Sequence, residues 1–241
     1  MSKIGLVLSG GGAKGAYEAG VITALYELDI VDKIKVVSGT SIGALNLTVF
    51  PAQEKLLCEN IWKNIKRDAS NLLTADGLRK TITDNVDFSK IKDFNMDLYA
   101  CAYNLSRMAP EYFHLNNLTT EDFTKAILAS TALPPIFPPV EINGTMYTDG
   151  GCNDHLHPQE NCDITPILPL KNYDLDLAIV VYLSKHQRSK CSLPNTKVVN
   201  IIPSQPLGTT PGTGSMDFSK TAINNRIILG YQDTMNILST K

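Results

Sequence analysis

The chain has 241 residues, a hydrophobic fraction of 43%, a charged fraction of 19% and a net charge of −2 at pH 7. This composition is typical of a globular protein and argues against a nucleic-acid binder, which usually carries clustered Lys and Arg. The length predicts one domain over residues 1–241. No apolar run approaches the roughly 18 residues of a membrane span, and Ile4–Leu8 is too short for a signal peptide. Five cysteines, an odd number, favour free thiols and a cytoplasmic location.

Short apolar runs alternate with helical patterns along the chain, and residues 53–97 give only helical patches between polar turns. In chain order the predicted elements are a strand at Ile4–Leu8, a helix from about Gly15 to Leu28, a strand at Ile34–Ser38, a helix at Ile42–Phe50, strands at Leu98–Leu105 and Glu111–Leu115 with a turn at 108–110, a helix at Phe123–Ser130, strands at Thr145–Thr148, Leu177–Leu183 and Val198–Ile202, and a helix after Asp217. Strands alternating with helices predict a mostly parallel sheet covered on both faces.

The most specific local motif is a G-x-S-x-G turn, Gly39-Thr40-Ser41-Ile42-Gly43, between a predicted strand and an apolar helix. A nucleophilic serine needs such a sharp turn at the carboxyl end of a strand, where flanking glycines remove Cβ atoms that would clash. The first N–H groups of the following helix favour negative charge beside the serine. The pattern also occurs by chance in glycine-rich turns, but the strand and the helix around it favour Ser41 as a nucleophile.

A second glycine-rich turn, Ser9–Gly15, follows the first strand. Its glycines satisfy G-x-G-x-x-G, but the second strand ends without the acidic residue that a dinucleotide-binding fold places there. A phosphate-binding P-loop would need lysine where Ala16 stands. We therefore expect no nucleotide cofactor and interpret Gly10, Gly11 and Gly12 as N–H donors of an oxyanion hole, with a plain tight turn as the alternative.

The third motif is Tyr147-Thr148-Asp149-Gly150-Gly151, in which a carboxylate ends a predicted strand and two glycines follow. The glycines let this segment approach another backbone closely. Taken alone, such a sequence is more often an ordinary Asp-Gly turn. In a chain that also carries the two motifs above, Asp149 becomes the candidate base for Ser41.

In this order, the three motifs resemble the signatures of the patatin-like phospholipase family. The resemblance implies a three-layer α/β/α fold with a mostly parallel central sheet. It also implies hydrolysis of lipid acyl esters, such as phospholipids or lysophospholipids, by a Ser41–Asp149 dyad with no histidine. We expect neither a cofactor nor a metal. Gly10, Gly11 and Gly12 would then be the oxyanion loop, and the lipid substrate would bring transient contact with a membrane surface.

The resemblance extends over nearly the whole chain. Ala126–Ser130 and Pro134–Val140 are similar to the proline-rich stretch before the family's aspartate, and Asp217-Phe218-Ser219 and the closing helix with Gly230-Tyr231 are similar to its usual end. One departure is an insertion of about ten residues, 152–161, after which Asp163–Leu170 fits the family's Asp-Asn-x-Pro-like segment. We expect residues 152–162 to form a polar surface loop near Asp149 without bound metal.

The histidines and cysteines leave alternatives open. His155, His157 or His186 would complete a Ser-acid-His triad, although Ser41 follows only the second strand, which is early for an α/β-hydrolase. Cys152, His155, His157 and Cys162 have the side chains that bind zinc, but their spacing matches no standard site. The alternative to an enzyme is a non-catalytic module whose glycine loop binds an anionic ligand.

Apolar pairs at Leu56-Leu57 and Ile61-Trp62 stand out in the otherwise polar stretch 53–97. A lipase must meet a membrane, and such pairs would serve for that contact. The commoner explanation is a helix that packs its apolar side on the core, and this is the interpretation that we prefer.

Overall fold

The computed structural model describes residues 2–65, 74–86, 88–91, 94–134, 136–151, 162–208 and 213–239. Its strands are β1 Ile4–Leu8, β2 Ile34–Thr40, β3 Asp97–Asn104, β4 Ala109–His114, β5 Val140–Ile142, β6 Thr145–Asp149, β7 Leu177–Val181 and β8 Lys197–Ile201. Its α-helices are α1 Ala16–Glu27, α2 Ile42–Asn46, α3 Leu57–Asn64, α4 Ala75–Asn85, α5 Phe88–Ile91, α6 Thr120–Ser130 and α7 Lys220–Leu238. Short 3₁₀ helices occupy Gly12–Gly15, Val31–Lys33, Leu47–Ala52, Leu115–Asn117, Leu168–Asn172 and Thr213–Ser215.

These strands form one mixed sheet in the order β5-β6-β3-β2-β1-β7-β8, with β4 paired to β3. β3, β2, β1, β7 and β8 are parallel neighbours, and helices carry the chain from β1 to β2 and from β2 to β3. β4, β5 and β6 pair antiparallel and extend the sheet beyond β3. The predicted α/β fold with a mostly parallel sheet is confirmed.

Hydrophobic clusters of different size pack on the two faces of the sheet. Leu6, Leu8 and Val181 belong to the large core that the α-helices form on one face. Alternate residues of the same strands, such as Val7 and Val180, belong to a smaller cluster on the other face. This alternation follows from the two-residue period of a strand. The second layer contains the 3₁₀ helix Leu168–Asn172 and its flanks.

The closing helix α7 packs directly on α1, which follows the glycine-rich turn. A Cβ atom at Gly20 or Gly230 would collide with the backbone of the opposite helix, so the two helices cross in close contact. The Tyr17 hydroxyl donates to Asp233 Oδ2 at 2.9 Å within this buried interface. The contact places the first turn of α1 on a rigid support.

Three elements differ from the sequence prediction. The helix predicted for Ile42–Phe50 is α-helical only to Asn46 and continues as a 3₁₀ helix, because Pro51 has no N–H to extend an α-helix. β4 starts at Ala109, so the predicted turn lies earlier and ends at Met108, whose φ is 54°. The short strand β5 after the prolines was not predicted.

The apolar pairs of α3 pack on the core as preferred: Trp62 is 2% exposed, and Leu57 and Ile61 contact the main cluster, while Leu56 is 49% exposed. No helix in the described ranges is both long and apolar enough to cross a membrane.

The cysteine prediction is only partly right. Cys58, Cys101 and Cys191 are free thiols, whereas Cys162 is disulfide-bonded, so the expectation of free thiols throughout is wrong. An odd count excludes only a fully paired set, and this is why the composition failed to predict the bond.

Candidate active site

Ser41 lies alone between β2 and α2 in a strained turn. Its φ is 55° and its ψ is −122°, a conformation that is uncommon for a residue with a side chain and that recurs at functional sites. A Cβ at Gly39 would lie 2.5 Å from the carbonyl group of Gly43, so this turn closes only with glycine there. The structure thus gives the motif the sharp strand-to-helix turn that the sequence predicted.

Strand pairing brings Asp149 to this turn. β2 follows one edge of β3 and its last residue, Thr40, pairs with Cys101. β4 occupies the opposite edge of β3, so β6, which pairs with β3 from Ala102 onwards, must lie on the same edge as β2. Because β6 runs antiparallel, its last residue, Asp149, opposes Ala102. Two strands therefore meet end to end beside β3, with Ser41 and Asp149 at the junction.

The two side chains are in direct contact. Ser41 Oγ donates to Asp149 Oδ2 at 2.5 Å, and the Gly151 N–H donates to Asp149 Oδ1 at 2.7 Å. Asp149 is only 4% exposed. Burial raises the pKa of its carboxyl from 3.8 to about 6, although the hydrogen bonds from Ser41 and Gly151 lower it. Asp149 is therefore a stronger base than a carboxylate in water, and its proton donor is the candidate nucleophile.

Ser130, at the end of α6, fills the gap where the two strands meet. Its Oγ accepts the Ser41 N–H at 2.9 Å and donates to the Cys101 carbonyl at 2.5 Å. These are the groups that would bond each other if β2 continued along β3, so one hydroxyl replaces a sheet hydrogen bond. In the sequence, Ser130 stands out only as the end of a family-like stretch. A polar residue closing an apolar helix was the available signal.

The glycine-rich loop lies against the nucleophile, but its three N–H groups are not equivalent. A Cβ at Gly10 would be 3.3 Å from the Ser41 Cβ. The Gly10 N–H donates to the Ile164 carbonyl at 2.8 Å, so it is already engaged. Among the described residues, the N–H groups of Gly11 and Gly12 have no acceptor. Of the three glycines interpreted as oxyanion donors, Gly11 and Gly12 are thus the ones with free N–H groups.

One short segment connects all three motifs. The Asp163 N–H donates to the Gly150 carbonyl at 2.9 Å, and the Asp163 carbonyl accepts the Thr40 hydroxyl at 2.7 Å. The next carbonyl, that of Ile164, accepts the Gly10 N–H. This is the segment whose sequence resembles the family's Asp-Asn-x-Pro-like stretch. It holds the base motif, the serine turn and the glycine loop in fixed relation.

The Asp163 side chain makes a second buried carboxylate close to the dyad. Burial raises its pKa, while the Tyr112 hydroxyl, which donates to Asp163 Oδ2 at 2.6 Å, lowers it. Asp163 thus has its own donor and stays separate from Ser41.

The histidines named as triad candidates are not brought to the dyad by any described contact. His186 is exposed, and its N–H donates to the Ser184 hydroxyl at 3.2 Å. His155 and His157 lie outside the described residues, as do Cys152 and nearly all of the predicted surface loop. Within the described residues there is no cluster of three metal-binding side chains, and the sulfur of Cys162 is held in a disulfide rather than available as a thiolate.

Comparison with protein families finds a match to a known family model. The model named patatin-like phospholipase matches residues 6–157, more than half of the chain and a range that contains the glycine loop, Ser41 and Asp149. Among curated proteins, lysophospholipase nte1 of Aspergillus terreus is 30% identical over 168 residues, and its counterpart from Emericella nidulans is 31% identical over the same length. Each alignment covers 64% of this chain but only 10% of the relative, so the chain spans about a tenth of these proteins.

Solved structures show the same fold. VipD from Legionella pneumophila superposes with a TM-score of 0.54 at 13% identity, covering 99% of this chain and 67% of VipD. Human GIVD cytosolic phospholipase A2, solved with methyl γ-linolenyl fluorophosphonate, superposes with a TM-score of 0.52 at 11% identity, covering 97% and 57%. At these identities the likeness concerns the fold.

Proposed function

Because this chain belongs to the patatin-like phospholipase family, we propose that it hydrolyses lipid acyl esters with Ser41 as nucleophile and Asp149 as general base. The observation that carries the proposal is the direct 2.5 Å hydrogen bond from Ser41 Oγ to the buried Asp149 carboxylate. In a triad a histidine would stand between these two groups. The direct contact favours a dyad.

The mechanism follows from the placement of three groups. Asp149 Oδ2 takes the proton as Ser41 Oγ bonds to the ester carbonyl carbon, and the carbonyl π electrons move onto oxygen. The free N–H groups of Gly11 and Gly12, the second of which begins the 3₁₀ helix, stabilise this oxyanion. Collapse expels the alcohol, which takes the proton from Asp149. Water, activated by Asp149, then releases the fatty acid and restores Ser41.

The substrate class is the part of the proposal that rests on relatives. Curated relatives are named lysophospholipases, and the family name refers to phospholipases. We therefore propose phospholipids and lysophospholipids as substrates, met by transient contact with a lipid surface. We also propose that residues 1–241 act as one domain, because a single sheet includes strands from Ile4 to Ile201 and α7 closes onto α1. The cytoplasmic location stays a prediction.

The test is fatty acid release from lysophosphatidylcholine and phosphatidylcholine in mixed micelles. Wild-type protein should release fatty acid, and Ser41→Ala should remove turnover by several orders of magnitude, because covalent catalysis is lost. Ser38→Ala is a matched control, since this buried serine of β2 has no hydrogen-bond partner for its hydroxyl in the described part of the chain. Turnover that survives in Ser41→Ala, or no turnover by the wild type, contradicts the proposal; the latter favours an anion-binding module.

A further inference from the structure

The turn after β7 reaches back to the glycine-rich loop through one side chain. Gln187 Nε2 donates to the Gly10 carbonyl at 2.8 Å, while its Oε1 accepts the Leu183 N–H at 2.6 Å. The two bonds use both ends of the amide, so the side chain is held between β7 and the loop. Its own N–H donates to the Ser184 carbonyl at 3.2 Å, which closes the turn that presents it.

This contact fixes the orientation of one peptide plane. In a trans peptide the C=O of a residue and the N–H of the next point in opposite directions. A hydrogen bond that holds the Gly10 carbonyl toward Gln187 therefore directs the Gly11 N–H away from Gln187. Glycines on both sides would otherwise let this plane rotate at little steric cost.

The neighbouring planes are held by other groups. The Gly10 N–H is tied to Ile164, and the Gly11 carbonyl accepts the Lys14 N–H at 3.3 Å in the first turn of the 3₁₀ helix. The plane between Gly10 and Gly11 is thus the one whose orientation depends on a single side chain.

We infer that Gln187 is a positioning residue that orients the Gly11 N–H toward the developing oxyanion. The inference rests on the proposed function, since it assigns a role to a side chain acting through the oxyanion loop. Gln187 lies outside the segment that matches the family model, and no motif in the sequence marks it. Its contribution is to hold the donor in place before the reaction, which is what makes such donors effective.

The expected effect is confined to the chemical step. Removing an oxyanion donor outright costs about 10²- to 10³-fold in kcat, so misorienting one donor should cost about 10- to 100-fold. Because the oxyanion forms only in the transition state, KM should change little.

Gln187→Glu and Gln187→Met are the informative variants. Glutamate keeps an acceptor for the Leu183 N–H but has no donor for the Gly10 carbonyl, and methionine removes both bonds at similar size. Arg188→Gln is the matched control, because Arg188 Nη1 donates to the carbonyls of Lys185 and Gln187 in the same turn. Two readouts are compared: kcat and KM on p-nitrophenyl butyrate, and affinity for an alkyl trifluoromethyl ketone, whose serine adduct carries an oxyanion.

Both Gln187 variants should lose kcat and trifluoromethyl ketone affinity by similar factors while KM stays near wild type. Their melting temperatures should fall modestly, because backbone groups lose their partners, and the kcat of Arg188→Gln should stay within about threefold of wild type. Wild-type kcat in either variant, an equal loss in Arg188→Gln, or a change in KM alone overturns the inference. Loss of all activity in Ser41→Ala, measured in parallel, confirms the proposed function independently, so the two ideas fail separately.

Discussion

A hydrogen-bonded aspartate lies near each end of β3, and the two aspartates have very different surroundings. At its start, Asp97 bonds His114 Nε2 at 2.7 Å and the Tyr173 hydroxyl at 2.7 Å. Near its end, Ala102 faces Asp149, which bonds Ser41. By residue type alone, the Asp97 cluster, with its histidine and tyrosine, is the more similar of the two to a catalytic site.

The two carboxylates differ in burial and in the kind of donor that each one binds. The Asp97 side chain is 38% exposed and both of its oxygens have donors that are themselves tied into the cluster. Asp149 is nearly dry, and one of its two oxygens holds the hydroxyl of a strained serine. The comparison teaches that a carboxylate becomes a base through its surroundings, since desolvation raises its pKa and a nucleophile stands in reach.

Replacing each carboxylate by its amide gives the sharpest contrast between these two ends. Asp149→Asn should lower kcat on a soluble acyl ester by about 10²-fold or more, because an amide takes no proton from Ser41. Asp97→Asn makes the same change at the other end of β3 and should stay within about threefold, as surface substitutions do. Steady-state kinetics of both purified variants decide between the ends.

A comparable loss in both variants would mean that the Asp97 cluster takes part in the reaction. Circular dichroism on the same preparations separates such a loss from unfolding.

The pH dependence tests the same base without mutation. Burial raises the pKa of Asp149 to about 6, and only its ionised form accepts a proton. The rate should therefore rise with pH and reach half of its plateau at about pH 6. Asp149→Asn should remove this limb. A limb that persists in Asp149→Asn belongs to another group, and His186→Gln then tests whether that group is the described histidine of the triad alternative.

Stability should move in the opposite direction to activity at this residue. The carboxyl has a pKa of 3.8 when unfolded and about 6 when folded, so between these values the folded state binds more protons and stability falls as pH rises. Asp149→Asn removes this cost and should raise the free energy of unfolding at pH 7 by on the order of 1–3 kcal/mol. Below about pH 3.8 the gain should vanish. Denaturant-induced unfolding of the wild type and Asp149→Asn at pH 7 and pH 3.5 measures this gain. An equal gain at the two pH values would contradict a raised pKa for Asp149.

Much of this architecture could be predicted from the sequence, and the site residues that could not be predicted were missed for one reason. Local sequence patterns, namely glycines next to apolar runs, predict the turn at Ser41 and the strand end at Asp149. Ser130 and Gln187 act through hydrogen bonds to backbone groups 89 and 177 residues away along the chain. No local pattern encodes such partners. The occupied N–H of Gly10 was missed for the same reason.

Removing the Ser130 hydroxyl at the strand junction should cause a smaller loss of activity than removing the Asp149 carboxylate. Ser130→Ala leaves the Ser41 N–H and the Cys101 carbonyl without their partner, which should cost about 1–3 kcal/mol of stability and lower kcat by about 10-fold as Ser41 shifts. Thr131→Val is the matched control, because within the described residues that hydroxyl donates to the carbonyls of Ile127 and Leu128 in its own helix and to no other group. Kinetics and thermal melts of both variants make the comparison. An equal kcat loss in Thr131→Val would show that the helix end, and not the junction, matters.

The smallest expected effect concerns the second carboxylate. Tyr112→Phe removes the donor to Asp163 and should lower stability by about 1 kcal/mol while changing kcat by less than about threefold. Since Asp163 connects to the dyad through its backbone, its carboxylate should not take part in proton transfer. A loss in Tyr112→Phe as large as that in Asp149→Asn would show that the two carboxylates act together.

Labelling with an alkyl fluorophosphonate, followed by peptide mass spectrometry, tests most directly whether Ser41 and Asp149 form the reactive pair. We predict a single phosphonyl adduct on Ser41 in the wild type, formed about 10²-fold more slowly in Asp149→Asn at pH 7.5. An adduct on another residue, or equal labelling rates in the two proteins, would contradict the assignment of Ser41 as nucleophile and Asp149 as its base.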